Sequence, residues 1–180
     1  MTILITYSTA HNTTALLAKR ISARLTTILP PSQHVEILPI TSIPTTCAAG
    51  IIPYSAIILG SAIHMGSWLH PAKKFISQHQ SELGEKPVWA FSVGVPATEE
   101  MAREEEKKVE GEIRRHVPEL KGHRLFKGKI ERNDLPWVVR TWFRWFPGEA
   151  KFGDFVEWEE VEKWADGVGE ELKGVLEGGK

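Results

Sequence analysis

The chain predicts a three-layer α/β fold whose five-stranded parallel sheet has the order 2-1-3-4-5. Three observations lead to this. Short apolar runs alternate with stretches of helical period along the chain, and such alternation calls for a parallel sheet with helices on both faces. The runs Ile3-Leu4-Ile5 and Ala56-Ile57-Ile58-Leu59 are continuously apolar, as strands buried on both faces require. Polar or glycine-containing loops follow the first, third and fourth strands, at whose carboxyl ends this topology places a ligand.

Ile3 to Tyr7 is the first strand. Ala15, Leu16, Ala18, Ile21, Leu25 and Ile28 then recur at helical spacing until Pro30-Pro31 stops the helix. Val35 to Leu38 reads as the second strand, and Pro39 to Pro53 as a loop rich in small and polar residues. Ala56 to Leu59 is the third strand, with a long loop from Gly60 to His70. Pro71 fits the first turn of a helix reaching to about Leu83. Val88 to Val93 is the fourth strand, bounded by Pro87 and Gly94. Glu99 to His116 is strongly charged, apolar only at Met101, Ala102, Val109 and Ile113, and so reads as a helix with a wide solvated face. His123 to Lys129 supplies the fifth strand. Trp158 to Leu176 closes the chain as an amphipathic helix with Val161, Trp164, Ala165, Val168 and Leu172 on one face. The 180 residues read as one domain, 1–180, with an aromatic helical insertion at about 134–146.

Composition narrows the function. A net charge of −1 argues against a nucleic-acid binder, which needs a basic footprint. The charge is uneven: Met1 to Ser81 holds one acid, Glu36, against five Lys or Arg, hence +4, and the remainder carries −5. An anion therefore meets a mildly positive environment near the first loops. Cys47 is the only cysteine, so an internal disulfide, a cysteine-ligated cluster and a CxxC pair are excluded, and redox chemistry must come from an organic cofactor. The seven histidines form no HxxxH or HExxH pattern, so no metal site is expected. No apolar run approaches the roughly 20 residues of a membrane span, and the N-terminus lacks a basic leader, so the cytoplasm is the expected compartment.

Ser8-Thr9-Ala10-His11-Asn12-Thr13 is the most informative stretch. A hydroxyl-rich turn between a buried strand and a helix start offers unpaired backbone N–H groups and a favourable dipole to an anion. No Lys or Arg lies between Met1 and Ala18, so this is not a lysine-containing triphosphate loop. The neutral cradle suits a flavin mononucleotide (FMN) phosphate. The bland alternative is a polar turn with an ordinary helix cap. Ser61, Ala62, Ile63, His64, Gly66 and Trp68 in the third-strand loop, and Ser92, Val93 and Gly94 in the fourth, complete the expected cofactor site. Gly66 and Gly94 allow the backbone close approach to a ring. Trp68 offers a flat stacking wall, or else packs in the core. His11 and His64 are placed to donate to a ligand or handle a proton, or else are exposed loop residues. The catalytic residues are not identified by the sequence.

These residues resemble the flavodoxin family, whose phosphate loop reads T-x-T-G-N-T; here Ala10 and His11 stand in place of Thr and Gly. More narrowly the chain is similar to the flavodoxin-fold protoporphyrinogen oxidases, quinone-dependent dehydrogenases, through Gly60-Ser61-Ala62-Ile63-His64-Met65-Gly66, Leu125-Phe126-Lys127-Gly128, and Gly153-Asp154-Phe155 with Trp158. That group usually has Arg-Tyr where this chain has His64-Met65. The resemblance implies FMN as cofactor and electron transfer from a protoporphyrinogen-type substrate to a quinone. A quinone reductase or electron carrier with another substrate, and a flavin-free interaction module, are the alternatives.

Pro136 to Phe146 concentrates three tryptophans, with Arg140 and Arg144 opposite an apolar face. It reads as an interfacial helix touching a membrane, as a wall over a large planar substrate, or as a core-packing or homodimer-forming helix.

Overall fold

A computed structural model describes residues 1–43, 50–130 and 153–177. β1 (Thr2–Ser8) is flanked by β2 (His34–Pro39) and β3 (Ala56–His64), and β5 (Val88–Gly94) and β6 (Gly122–Lys127) continue the sheet beyond β3. All four pairings along the path β2-β1-β3-β5-β6 are parallel. Counting parallel strands alone, this is the expected order 2-1-3-4-5. The short β4 (Ser67–Trp68) folds back antiparallel on the end of β3. A separate ribbon pairs β7 (Lys129–Ile130) with β8 (Gly153–Asp154).

The side chains of the central strands alternate between two cores. Ile3, Ile5, Ala56, Ile58, Trp89 and Phe91 face α1 (Thr13–Ile28) and α5 (Trp158–Glu177). Leu4, Ile57, Leu59, Val88 and Ala90 face α2 (His70–Gln78), α3 (Gln80–Gly84) and α4 (Glu99–Arg114). Burial on both faces explains why these strands read as unbroken apolar runs. On the first face, Arg24 makes a two-pronged bond to Asp166 at 2.5 and 2.9 Å, and Arg20 pairs with Glu162, joining α1 to α5. The approach of the two helices is close: a Cβ at Gly169 would lie 2.2 Å from Cδ1 of Ile28.

Several expected elements differ. The third strand runs on to His64, so Ser61 to His64 are strand residues rather than loop. The helix expected from Pro71 to Leu83 is two helices, broken at His79. On α1 the buried residue is Leu17, whereas Leu16 is 44% exposed. That substitution of neighbours is a rotation of about 100° on a 3.6-residue helix, and adjacent leucines cannot be ranked by period. The 134–146 segment and Cys47 lie outside the described residues. No helix among the described residues is long and apolar enough to cross a membrane.

One close contact joins β3 to β5 within the sheet. A Cβ at Gly60 would lie 2.3–2.9 Å from three ring carbons of Phe91, a fully buried ring braced by Phe126 and Trp164. Gly60→Ala is therefore expected to destabilise the fold by about 1–3 kcal/mol through overpacking. Gly111→Ala, in α4 with nothing within 4 Å of the added carbon, should instead gain about 0.5–1 kcal/mol of helix propensity. Urea unfolding of the two variants checks both signs.

Candidate functional site

The carboxyl ends of β1, β3 and β5 stand side by side, with Ser8 level with Ser61 and Ser61 level with Ser92. Strand order reverses between β1 and β3, so the loops leaving these two ends diverge to opposite faces and open a crevice between them.

After Ser8 the chain crosses Thr9, Ala10, His11 and Asn12 before α1 begins. Asn12 sits in the left-handed region at φ 65°, its carbonyl accepting from the Leu16 amide at 3.1 Å, and its side chain caps nothing. The first turn of α1 holds no acid. Ala10, His11 and Asn12 are exposed, and Thr13 is partly buried. Thr9 Oγ1 and Thr14 Oγ1 are buried hydroxyls with no hydrogen-bond partner among the described residues. A buried hydroxyl without an acceptor is costly, and an anion between the loop and the helix start would supply acceptors. The loop's chemistry therefore fits a phosphate group. Thr14 belongs to this set and was not among the expected residues; its polarity on the buried face of α1 was the available signal.

The second loop is a tight hairpin. Ile63 pairs with Trp68 and His64 with Ser67, and Met65 (φ 52°) and Gly66 (φ 71°) form a two-residue turn of consecutive left-handed residues. Glycine adopts this conformation freely, whereas at Met65 it is strained. The turn projects Met65 outward at 90% exposure, with His64 also exposed.

Trp68 points the other way. It is 3% exposed, and its indole N–H donates to Ser92 Oγ at 2.7 Å. Here Trp68 is a core side chain and its ring faces are spent on packing, which corrects the reading of it as a stacking wall. Ser61 and Ser92 are likewise fully buried; Ser61 Oγ accepts from the Leu69 amide at 3.2 Å and donates to the Ala62 carbonyl at 2.9 Å. These hydroxyls hold the hairpin from beneath and do not face the crevice directly.

Ser92 Oγ also lies 2.7 Å from His123 Nε2 on β6, a partner the sequence reading missed. Ser92 Oγ accepts from Trp68, and the direction of its bond to His123 follows the ring's tautomer; Nδ1 of His123 is buried without a hydrogen-bond partner among the described residues. Burial pushes the His123 pKa down to about 4. A serine and a histidine at this distance are silent in sequence because 31 residues separate them.

The third loop starts at Gly94, whose carbonyl accepts from the Gly128 amide at 2.8 Å. This bond ties the end of β5 to the start of the β7–β8 ribbon. α4 begins with Thr98 as its cap, Oγ1 accepting from the Met101 amide at 3.2 Å. Between the hairpin tip and this loop opens a cleft of about 520 Å³. Ile63, Met65, Gly66, Gly94, Val95 and Met101 line it, with Glu105 and Lys108 of α4 on one wall. Among the described residues no group of three or more His, Cys, Asp or Glu side chains gathers to hold a metal ion.

The sequence profile described as "Flavodoxin domain" matches residues 4–150 of this chain. No curated protein matches it. Among solved structures, a flavodoxin from the domain Archaea is 14% identical with a TM-score of 0.60, over 96% of this chain and 99% of that one. Rubredoxin oxygen:oxidoreductase from Desulfovibrio gigas is 14% identical with a TM-score of 0.65, over 97% of this chain but only 37% of that one. The two-electron reduced flavodoxin of Megasphaera elsdenii is 14% identical with a TM-score of 0.53, over 68% and 84%. At these identities the likeness is one of fold.

The Trp68–Ser92–His123 chain generates a pH prediction. A histidine whose folded pKa is depressed contributes stability that is complete above the unfolded value near 6.5 and is lost as pH falls towards about 4. His123→Gln should flatten the stability profile between pH 6.5 and 4 relative to the parent. Ser92→Ala, which strands the indole N–H, should cost about 1–3 kcal/mol. Thermal melts across this pH range read both effects.

Proposed function

The chain belongs to the flavodoxin domain family, and from that premise we propose that it is an FMN-dependent oxidoreductase. The observation that carries this reading is the pair of buried, unpartnered hydroxyls, Thr9 Oγ1 and Thr14 Oγ1, where the Ser8–Thr13 loop meets α1. Bound FMN supplies reversible one- and two-electron chemistry; the protein supplies binding and electrostatic tuning. In this reading Ser8, Thr9, Asn12, Thr13 and Thr14, with the amides at the start of α1, hold the phosphate. Ala10 and His11 shape the outer turn. Backbone at Ser61, Ala62, Ile63, His64 and Gly66, and at Ser92, Val93 and Gly94, frames the ring, with Trp68, Ser61 and Ser92 fixing the hairpin from within.

The finer proposal is a dehydrogenase of the protoporphyrinogen type that passes electrons to a quinone. Its support is the resemblance at residues 60–66, 125–128 and 153–155 with Trp158, together with an open cleft beside the expected cofactor position. The aromatic 134–146 stretch, which lies in sequence between β7 and β8, is the segment proposed to contact a large planar substrate or a membrane surface. An electron-carrier role is the second reading, favoured by the match along nearly the full length of the archaeal flavodoxin.

Thr9→Ala and Thr13→Ala are each expected to weaken FMN binding by about 1–2 kcal/mol, as for a lost hydrogen bond to a charged group. Riboflavin, which lacks the phosphate, should bind the parent less tightly and be indifferent to both changes. Equal affinity for FMN and riboflavin in a fluorescence titration rejects the phosphate assignment. For direction of electron flow, anaerobic stopped-flow mixing should show the bound flavin bleached rapidly by a porphyrinogen and slowly by NADPH. The opposite order moves the protein to the reductase or carrier reading.

A further inference from the structure

A second cavity lies between α2 and the C-terminal half of α4, and none of its lining residues belongs to the cleft at the hairpin tip. Its volume is about 270 Å³, at the small end for a ligand pocket. Ile76, Val109 and Ile113, with the ring of Trp68, form a buried apolar floor. The charged side chains lining it are Lys73 of α2, Glu112 of α4 and Arg115, the residue at which α4 ends.

These three groups are held differently. Lys73 Nζ donates to Ser67 Oγ at 3.2 Å, and Ser67 Oγ donates to Glu112 Oε2 at 2.8 Å. The carboxylate is thus fixed by a neutral hydroxyl, while the ammonium keeps two further N–H groups to donate. Arg115 contrasts with the residue before it. Arg114 donates to Glu110 at 2.8 Å and to the carbonyls of Pro118 and Leu120 at 3.3 and 2.8 Å, and so fastens the end of the helix. The guanidinium of Arg115 makes no hydrogen bond or ion pair among the described residues. Two cations against one carboxylate leave the cavity with a surplus positive charge above an apolar floor.

We propose that this cavity binds a small aromatic monocarboxylate, its ring on the Ile76–Val109–Ile113 floor and its carboxylate taken by Lys73 and Arg115. A guanidinium fork matches a carboxylate in plane, and the ammonium adds a point charge. A single negative charge meets the surplus; a second would be repelled by Glu112, which the Ser67 bond keeps in place. An uncharged ring gains only the floor. Ser67 and Trp68 form the return strand of the hairpin that carries Met65 and Gly66, so the ligand sits behind that hairpin and away from its tip. The binding step does not depend on the oxidoreductase reading.

Titration of the isotope-labelled full chain with benzoate, followed by two-dimensional NMR, tests it. The signals of Ser67, Trp68, Lys73 and Arg115 should shift and saturate, while those of Gly94 and Val95 in the other cleft stay in place. Benzamide, the uncharged counterpart, should bind several-fold more weakly. Lys73→Gln and Arg115→Gln, both at exposed positions, should each weaken benzoate several-fold. Glu112→Gln keeps an acceptor for Ser67 and should strengthen phthalate, a dianion, more than benzoate. Shifts confined to Gly94 and Val95, no saturable binding, equal affinity for benzoate and benzamide, or unchanged affinity in both cation variants would overturn the proposal. None of these outcomes bears on flavin binding, which the FMN titration decides separately.

Discussion

Right-handed crossover between parallel strands is the constraint on which the rest of this structure depends. It forces helices onto both faces of the sheet and brings every strand to the same carboxyl edge. With β1 between β2 and β3 and the chain moving first to β2 and then back across to β3, the loops after β1 and β3 diverge, and a crevice opens where they part. Burying the three inner strands β1, β3 and β5 on both faces stabilises the sheet through apolar area, at about 25 cal/mol per Å². The same burial leaves only the edge free to carry polar chemistry. The site's position is thus a consequence of topology, and its character comes from the few residues at the strand ends.

Those strand ends hold their polar groups in two distinct ways. Ser61 and Ser92 are fully buried and satisfied, and through Trp68 and His123 they fasten β3, β4, β5 and β6 together beneath the hairpin. Within this network the Trp68 indole N–H and both serine hydroxyls are paired, while Nδ1 of His123 has no partner among the described residues. Thr9 and Thr14, by contrast, are buried and unsatisfied. Thr6, Gln33, His79 and His123 also hold buried unpaired atoms among the described residues, so it is the place of Thr9 and Thr14, at the loop after β1 and the start of α1, that marks them as candidate anion contacts. Lys127 performs a related scaffold task at the rim, bridging Glu99 at 2.7 Å and Glu157 at 2.8 Å, so that the starts of α4 and α5 are held across the edge strand β6.

The sheet was legible because its signal is additive: Ile3-Leu4-Ile5 and Ala56 to Leu59 are apolar at every position, and Val161, Ala165, Val168 and Leu172 repeat with a helical period. The loop after β1 was legible for a related reason, since hydroxyl residues there sit between two strong elements. The hairpin was not. Its turn uses Met65 in a conformation that glycine or asparagine normally takes, and no local rule anticipates it. Trp68 illustrates a different limit, because an indole is equally suited to a ligand wall and to a core, and only the position of Ser92, 24 residues away, settles the matter. His123 was invisible for the same reason: it owes its environment to strands and loops remote in sequence. The 134–146 stretch lies outside the described residues.

The most direct measurement is the visible absorption spectrum of the protein purified without added flavin, followed by identification of whatever heat or acid releases. A phosphate cradle built from Thr9, Thr14 and the start of α1 predicts the two visible bands of an oxidised flavin and release of FMN close to one per chain. A colourless protein that stays colourless after incubation with FMN and removal of the excess would contradict it.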